Sequence, residues 1–341
     1  MNTIGRLLRF TSFGESHGPA IGGVLDGMPA GMSIDMQAVQ AELDRRRPGG
    51  DSPGGSTRHE TDRITVLSGI FEGRTTGAPI AFSIDNQDAR PSDYNELRHI
   101  IRPGHADATY QMKYGVRDHR GGGRASARTT AAAVAAGAIA RQLLSLHGIT
   151  VHAEVTRVGD ATDESGMLAE VERARSEGDT VGGAVSCTVS GCPAGLGEPL
   201  FGKLQAMLAA AMMSINAVKG FEYGDGFASA SMRGSQAFDR PYGIDTVLHT
   251  DTNHAGGILG GISTGADITM RVAFKPIASM MRDIPTVDTS GRPATLHMRG
   301  RHDVCAAWRG RPVVEAMACL TIADALLLAR ASKPVCGIGE N

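Results

Sequence analysis

Aromatic side chains are scarce in this sequence, 4% of 341 residues with a single tryptophan. Single-stranded nucleic acid is usually held by stacking bases on aromatic rings, so the shortage argues against that class. An excess of charge of one sign is also missing. Lys plus Arg number 34 and Asp plus Glu 36, a net charge of −2, which gives no global field for nucleic acid or a membrane surface. The five cysteines, Cys187, Cys192, Cys305, Cys319 and Cys336, are odd in number and none falls in C-x-x-C spacing. Reduced thiols fit that pattern better than a disulfide framework, and no metal site is expected. No apolar h-region opens the chain, and no run reaches membrane-spanning length. The expectation is a soluble, cytoplasmic protein that binds neither nucleic acid nor membrane.

What is present begins with glycine, 45 residues or about 13% against a usual roughly 7%. With 41% hydrophobic and 21% charged residues the chain has ample material for a core. Length alone would allow two domains, but no low-complexity linker divides the chain, so residues 1–341 are read as one domain. Helical periodicity marks "SIDMQAVQAELDRRRPGG", with Ser33 and Asp35 as candidate caps, Ile34, Val39 and Leu43 near one face, and a stop at Pro48-Gly49. "SARTTAAAVAAGAIARQLLSLHG" is uncharged between Arg128 and Arg141 and predicts a buried helix. "LFGKLQAMLAAAMMSINA" and "PVVEAMACLTIADALLLARAS" predict two more, the latter with Pro312 in its first turn. β-rich runs separate them, among them "DRITVLSGIFEG", "GAPIAFSIDN", "ITVHAEVTRVG", "GGAVSCTVSG" and "ADITMRVAFKP". The polar stretch from Asp160 to Thr180 reads as an exposed excursion. Strands outnumber helices and many are hairpin-linked, so the fold class is α+β, with buried helices on largely antiparallel sheets.

The stretch "GESHG", residues 14–18, matches the G-x-S-x-G nucleophile elbow on paper. That elbow needs an oxyanion loop upstream and a helix downstream. Residue 14 leaves no room for the loop, and "PAIGGVLDGMP" after Gly18 reads as strand or loop. Ser16 as a hydrolase nucleophile therefore lacks its context. Gly14 and Gly18 shape a tight turn, or let a ligand approach while Ser16 and His17 face it.

Four other segments favour the ligand. Arg45, Arg46 and Arg47 stand at a helix C-terminus, where cations complement the macrodipole. "IIRPGHADATYQMKYGVRDHRGGGRASARTTA" gathers Arg102, His105, Asp107, Arg117, Asp118, His119, Arg120, Arg124 and Arg128. Its Gly121–Gly123 run precedes a helix start, whose unpaired N–H groups attract anions, although no P-loop pattern is present. "TNHAGGILGGISTGADITMRVAFKPIAS" has paired glycines but lacks the Rossmann spacing. "MRGRHDVCAAWRGRP" brings Arg299, Arg301, His302 and Asp303 together before the last helix. A near-neutral protein that concentrates arginine, histidine and glycine in separated segments suits a small, multiply anionic substrate. Arginine's planar fork fits carboxylate and phosphate alike. The competing reading is an arginine-rich RNA- or phosphate-binding protein without catalysis, which expects a net basic face instead.

Taken in order, "FGESHG", "DRRRPG", "IRPGHAD", "KYGVRDHRGGGRASAR", "MSINAVKG", "NHAGGILGGIS" and "GRHD" closely resemble chorismate synthase, from near residue 4 to about residue 325. The resemblance implies a β-α-β sandwich, a homotetramer, and a lyase of the shikimate pathway for aromatic amino acid biosynthesis. Its reaction is the anti 1,4-elimination of phosphate from 5-enolpyruvylshikimate 3-phosphate to give chorismate. It needs reduced FMN without net redox change, and some members reduce the flavin themselves with NADPH.

Carried over by motif, His17 resembles the histidine beside the departing phosphate, and His105 the one close to the flavin. Asp303 resembles the carboxylate of a proton relay at flavin N5. Arg46, Arg128 and Arg301 are implied to clamp the substrate's phosphate and carboxylates, with Arg45 and Ser16 nearby. For FMN the matching positions are Arg124, Ala125, Ser126, Asn216, Ala217, Gly260, Lys275, Pro276, Ile277, Ala278, Ser279 and Arg301. Gly260 would let a flat ring approach, and Lys275 would hold a phosphate. Ile277 and Ala278 stand where many members carry hydroxyls, and "GGDSPGGST" precedes Arg58, where some members place a further arginine sooner.

Overall fold

Residues 131–140 carry no polar side chain and all ten are buried. A helix apolar all round must be covered on every side, and the architecture follows from that requirement. The computed structural model describes residues 1–47, 52–55, 60–87, 97–297 and 302–331. The expected stop at Pro48-Gly49, Arg58, Arg299, Arg301 and Cys336 lie outside the described residues.

The chain opens with β1 (Thr3–Ile4), β2 (Arg9–Gly14) and β3 (Ala20–Asp26), then α1 (Met36–Arg46) and β4 (Ile64–Val66). A small hairpin of β5 (Ile70–Phe71) and β6 (Arg74–Thr75) precedes β7 (Ile80–Asp85). β7 completes an antiparallel sheet in the order β1-β2-β3-β7-β4. Next come α2 (Asp107–Tyr114), α3 (Thr130–Ser145), β8 (Thr150–Val158), α4 (Glu164–Ser176), β9 (Gly183–Ser190), α5 (Leu204–Met213) and β10 (Val218–Tyr223). Hairpins of β11 (Pro241–Ile244) with β12 (Leu248–Thr250), and of β13 (Ile258–Leu259) with β14 (Ile262–Ser263), lead into β15 (Ile268–Phe274). The second antiparallel sheet runs β10-β15-β9-β8. A last hairpin, β16 (Asp283–Val287) with β17 (Pro293–His297), precedes α6 (Ala307–Ala331).

The layers are sheet, helices, sheet. α3 lies on the first sheet through β3, α6 lies on the second through β8 and β9, and the two helices pack on each other. Strand alternation supplies the inner faces: Ile268, Met270, Val272 and Phe274 of β15 are all buried. Gly137 sets the closeness of the helices, because a Cβ there would stand 2.4 Å from that of Ala316. The expected α+β sandwich is therefore what forms.

α6 corrects one expectation: it is long and apolar enough to cross a membrane, with a mean hydropathy of 1.8. That window is 89% buried inside the protein, so α6 is a core helix. Its two buried carboxylates are fully engaged, as burial requires. Glu315 accepts from Arg45 Nη1 at 2.7 Å, Arg141 Nη2 at 2.8 Å and the Ala153 N–H at 2.9 Å. Asp324 accepts the backbone N–H groups of Arg6, Leu7 and Leu8 at 2.9, 2.8 and 2.9 Å, fastening the N-terminal loop.

Other local differences have plain causes. The Asp160–Thr180 stretch, read from sequence only as an exposed excursion, contains α4. Asp163 caps it by accepting from the Gly166 N–H at 2.9 Å, and Met167, Val171 and Ala174 form one buried stripe. Asp35, not Ser33, caps α1, accepting from the N–H groups of Gln37 and Ala38. α6 starts at Ala307, so Pro312 lies inside the helix. The four described cysteines are buried, and burial raises the thiol of each, so none is poised as a nucleophile.

Candidate active site

Beside the helix layer the chain encloses a cleft of about 1130 Å³. A single small-molecule site is usually roughly 300–1000 Å³, so this one has room for two compact ligands together. Ends of elements make its walls: Arg46 at the end of α1, the loop before α2, the turns before α3, Lys275 after β15, and the start of α6.

Arg46 and Arg128 form the cationic end. Arg46 is 2% exposed, and burial drives its guanidinium down to about 10, with Arg309 and Arg128 adding to the fall and Asp62 opposing it. Its Nη1 lies 3.7 Å from Asp62 Oδ2, and its Nε has no hydrogen-bond partner among the described residues. Arg128 pairs closely with Asp62, donates from Nε to Asn86 Oδ1 at 2.8 Å, and stands 3.8 Å from Glu60. Asp62 holds its place with φ +46°, a left-handed conformation that costs a non-glycine residue about 1–2 kcal/mol. Arg309 donates to the Arg46 carbonyl at 3.2 Å and pairs with Asp303, which thereby reaches the cleft. Glu60, Asp62 and Arg309 escaped the sequence reading. Arg309 stood in the quoted "AWRGRP" and Asp62 opened the β-rich run "DRITVLSGIFEG", while Glu60 lies outside both.

His105 sits in the loop before α2. Its Nδ1 is 3.2 Å from the Pro103 carbonyl, which can only accept, so Nδ1 carries the proton. Nε2 is then free to accept from Ser279 Oγ at 3.2 Å. Burial lowers the imidazole's pKa below 6.5, the Arg102 cation lowers it further, and the Pro103 and Asp107 contacts oppose them. The shift favours the uncharged ring at neutral pH. His17 lies in the turn after β2, where Ser16 Oγ and His17 Nδ1 are 3.0 Å apart. The ring rests on Gly121, which lines the cleft.

A second wall has the character of a cradle. Lys275 extends to the Gly104 carbonyl at 3.3 Å, and Thr180 Oγ1 donates to the Ile277 carbonyl at 2.7 Å, fixing the 275–279 loop. Asn216 donates to the Ala125 carbonyl at 2.8 Å. Ala217 takes φ +68° at the cleft edge, and Ser126 accepts from the Arg128 N–H at 3.3 Å. Arg124 is spent on β2, donating to the Gly14 carbonyl at 2.9 Å and to the Ser12 carbonyl at 3.1 Å.

Thus Arg46, His105, Arg124, Ala125, Ser126, Arg128, Asn216, Ala217, Lys275, Ile277, Ala278, Ser279 and Asp303 all line one cleft. Ser16 and His17 stand behind Gly121. Pro276 lies in the wall loop without lining the cleft. Two expected residues are elsewhere. Arg45 points into the helix layer against Glu315, because adjacent residues on a helix diverge by about 100°. Gly260 and Gly261 form the β13–β14 turn at φ +61° and +100°, the conformation that a two-residue hairpin loop demands, and neither lines the cleft.

The residues present fit a flat cofactor carrying a phosphate. The wall offers small or flat apolar surface at Ala125, Ala217, Ile277 and Ala278, with Lys275 and the Ser279 hydroxyl beside it. The unpartnered Arg46 Nε and the Arg128 guanidinium, at the other end, fit a separate anion.

Residues 8–327 match the family model described as chorismate synthase. A chorismate synthase of Porphyromonas gingivalis (strain ATCC BAA-308 / W83) is 52% identical over 359 residues, covering 98% of this chain and 97% of the relative. That of Nitratidesulfovibrio vulgaris (strain DSM 19637 / Miyazaki F) is 51% identical over 351 residues, covering 96% and 98%. A solved crystal structure of chorismate synthase superposes with a TM-score of 0.75 at 29% identity, covering 95% of this chain and 93% of that one.

Proposed function

The chain belongs to the chorismate synthase family, a lyase family of aromatic amino acid biosynthesis, and from that premise we propose which residues of the cleft carry its reaction. The reaction is the anti 1,4-elimination of phosphate from 5-enolpyruvylshikimate 3-phosphate to give chorismate. The RNA-binding alternative is not supported by these relatives. The observation that carries the residue assignment is the convergence of Arg46, Arg128, His105 and Lys275 on one cleft.

Arg46 and Arg128, with Arg301, bind the substrate's phosphate and carboxylates. Two preorganised guanidiniums stabilise charge that gathers on the leaving phosphate, without reorganising as it forms. His17, oriented by Ser16 through Nδ1, gives a proton to the departing dianion. His105 stays neutral and presents Nε2 as a proton acceptor. Asp303, with Arg309 against it, takes part in the relay that removes the ring proton. Reduced FMN would be held by Arg124, Ala125, Ser126, Asn216, Ala217 and Lys275 to Ser279. When bound, it would supply transient electron-donor chemistry with no net redox change. Ser16 is an orienting hydroxyl, not a nucleophile.

The homotetramer and the cytoplasmic location belong to the same proposal, as does any NADPH-dependent reduction of the flavin by the chain itself. The test is anaerobic: purified chain, reduced FMN and 5-enolpyruvylshikimate 3-phosphate should give chorismate and phosphate in equal amounts and perturb the flavin absorbance. Arg128→Ala should abolish both changes. Chorismate formation undiminished by that substitution would remove the arginine end from the proposal. NADPH as sole reductant distinguishes a bifunctional chain, and light scattering reads the oligomer.

A further inference from the structure

Between the two histidines lies a buried ionic triad. Arg102, Asp107 and Arg117 have side chains only 5%, 5% and 7% exposed. Asp107, in the first turn of α2, accepts the Arg102 backbone N–H at 3.1 Å, its Nε at 2.8 Å and its Nη2 at 2.7 Å. Arg117 Nη1 stands 2.8 Å from the same carboxylate. Both guanidiniums also donate to backbone. Arg102 Nη2 also donates to the Gly121 carbonyl at 3.0 Å, and Arg117 donates to the carbonyls of Leu97, Arg98 and Ile100 at 3.3, 2.8 and 3.3 Å.

These contacts reach both acting histidines. Gly121 is the residue on which the His17 ring rests, and Arg102 leads directly into Pro103 and His105. We propose that Asp107 is the positioning residue of this site, one carboxylate that fixes the loop carrying His105 and the glycine turn supporting His17. A buried ionic triad is poor evidence for stability as such, since apolar replacements often fold as well. What this triad supplies is fixed backbone and a fixed charge balance beside the cleft. Among the described residues, the charged groups acting on His105 are Arg102, Asp107 and Lys275, with the Pro103 carbonyl and Ser279 hydroxyl as neutral neighbours. Removing Asp107 leaves Arg102 unbalanced there, whereas removing Arg102 takes away a cation.

The inference rests on the assignment of His17 and His105 as the acting histidines, and its test separates the two. The ring signals of both histidines are titrated by NMR in the unliganded full chain, and kcat and KM are measured alongside. In Asp107→Asn the His105 midpoint should move down, the His17 signals should shift, and kcat should fall about 100-fold while KM changes little. In Arg102→Gln the His105 midpoint should move up. Unchanged histidine signals in folded D107N, a shift without loss of kcat, or both variants moving His105 the same way would each overturn the proposal. Should D107N fail to fold, R102Q decides: it breaks the bond to the Gly121 carbonyl, so the His17 signals should shift there too, and unchanged His17 signals would overturn the proposal. The titrations need neither flavin nor substrate, so failure of the wild-type chain to form chorismate would strike only the functional reading.

Discussion

A Cβ built on Gly121 would stand 2.3 Å from Nδ1 of His17. The glycine also holds φ +83°, so two separate demands exclude a side chain there. Gly121→Ala should therefore displace the imidazole and lower kcat by about 100-fold, since small misplacements at a reacting centre are costly. Backbone strain should add about 1 kcal/mol of destabilisation. Gly148→Ala is the control: φ there is +70°, but no atom lies within 4 Å of the new methyl. It should lose similar stability and keep its turnover. Equal loss of kcat in both would show that strain, not contact with His17, is responsible.

Asp62 balances Arg46 and Arg128 from a fully buried position. Asp62→Asn should cost about 3–5 kcal/mol in denaturant unfolding, because it takes the close carboxylate from the buried Arg46 and leaves Arg128 only Glu60 at 3.8 Å. The pocket then holds excess positive charge. Inorganic phosphate should raise the unfolding midpoint of the variant more than that of wild type. An identical phosphate response in the two proteins would mean that Asp62 does not set the charge of this end of the cleft.

How much of this was legible in the sequence depends on whether the signal is local. The uncharged run 131–140 announced a buried helix, and the β-rich runs at 150–158 and 268–274 announced strands, whose alternating burial at 150–153 and 268–274 the structure then shows. α4 stayed hidden because Met167, Val171 and Ala174 are a thin stripe among glutamates and arginines. In the site, motif order located the arginines but not their counter-ions. Asp62 lies 66 residues from Arg128 in the chain, and no local pattern links them. Helical geometry required Arg45 and Arg46 to diverge, yet which one meets the cleft is set by Glu315 on α6. Gly260 was legible as a position where a side chain would obstruct a flat ring, but a hairpin turn at φ +61° selects glycine just as a ligand's close approach does.

The contact of α3 with α6 makes a prediction about the core. A methyl on Gly137 would stand 2.4 Å from the Ala316 Cβ and 2.5 Å from its Cα, so backbone would have to move. Gly137→Ala should destabilise by about 1–3 kcal/mol despite alanine's better helix propensity. Thermal unfolding reads the effect. A stabilised variant would show that the two helices do not approach as closely as described.

His105 also predicts a pH dependence whose sign follows from linkage. Burial and Arg102 hold its folded-state pKa below the unfolded value of 6.5. As pH falls through about 6.5 the unfolded chain takes up a proton that the folded chain refuses, so stability declines. Above that range both states are neutral and the residue contributes no slope. Once pH has passed the folded pKa both states are protonated and the decline from this residue stops. His105→Asn keeps a polar side chain that cannot titrate, so it should lose less stability than wild type between pH 7.5 and about 5.5. Denaturant midpoints at the two pH values test this, and the difference between proteins cancels the other histidines. Equal losses in both would place the His105 pKa at its ordinary value and remove the argument that the ring is held neutral beside the cleft.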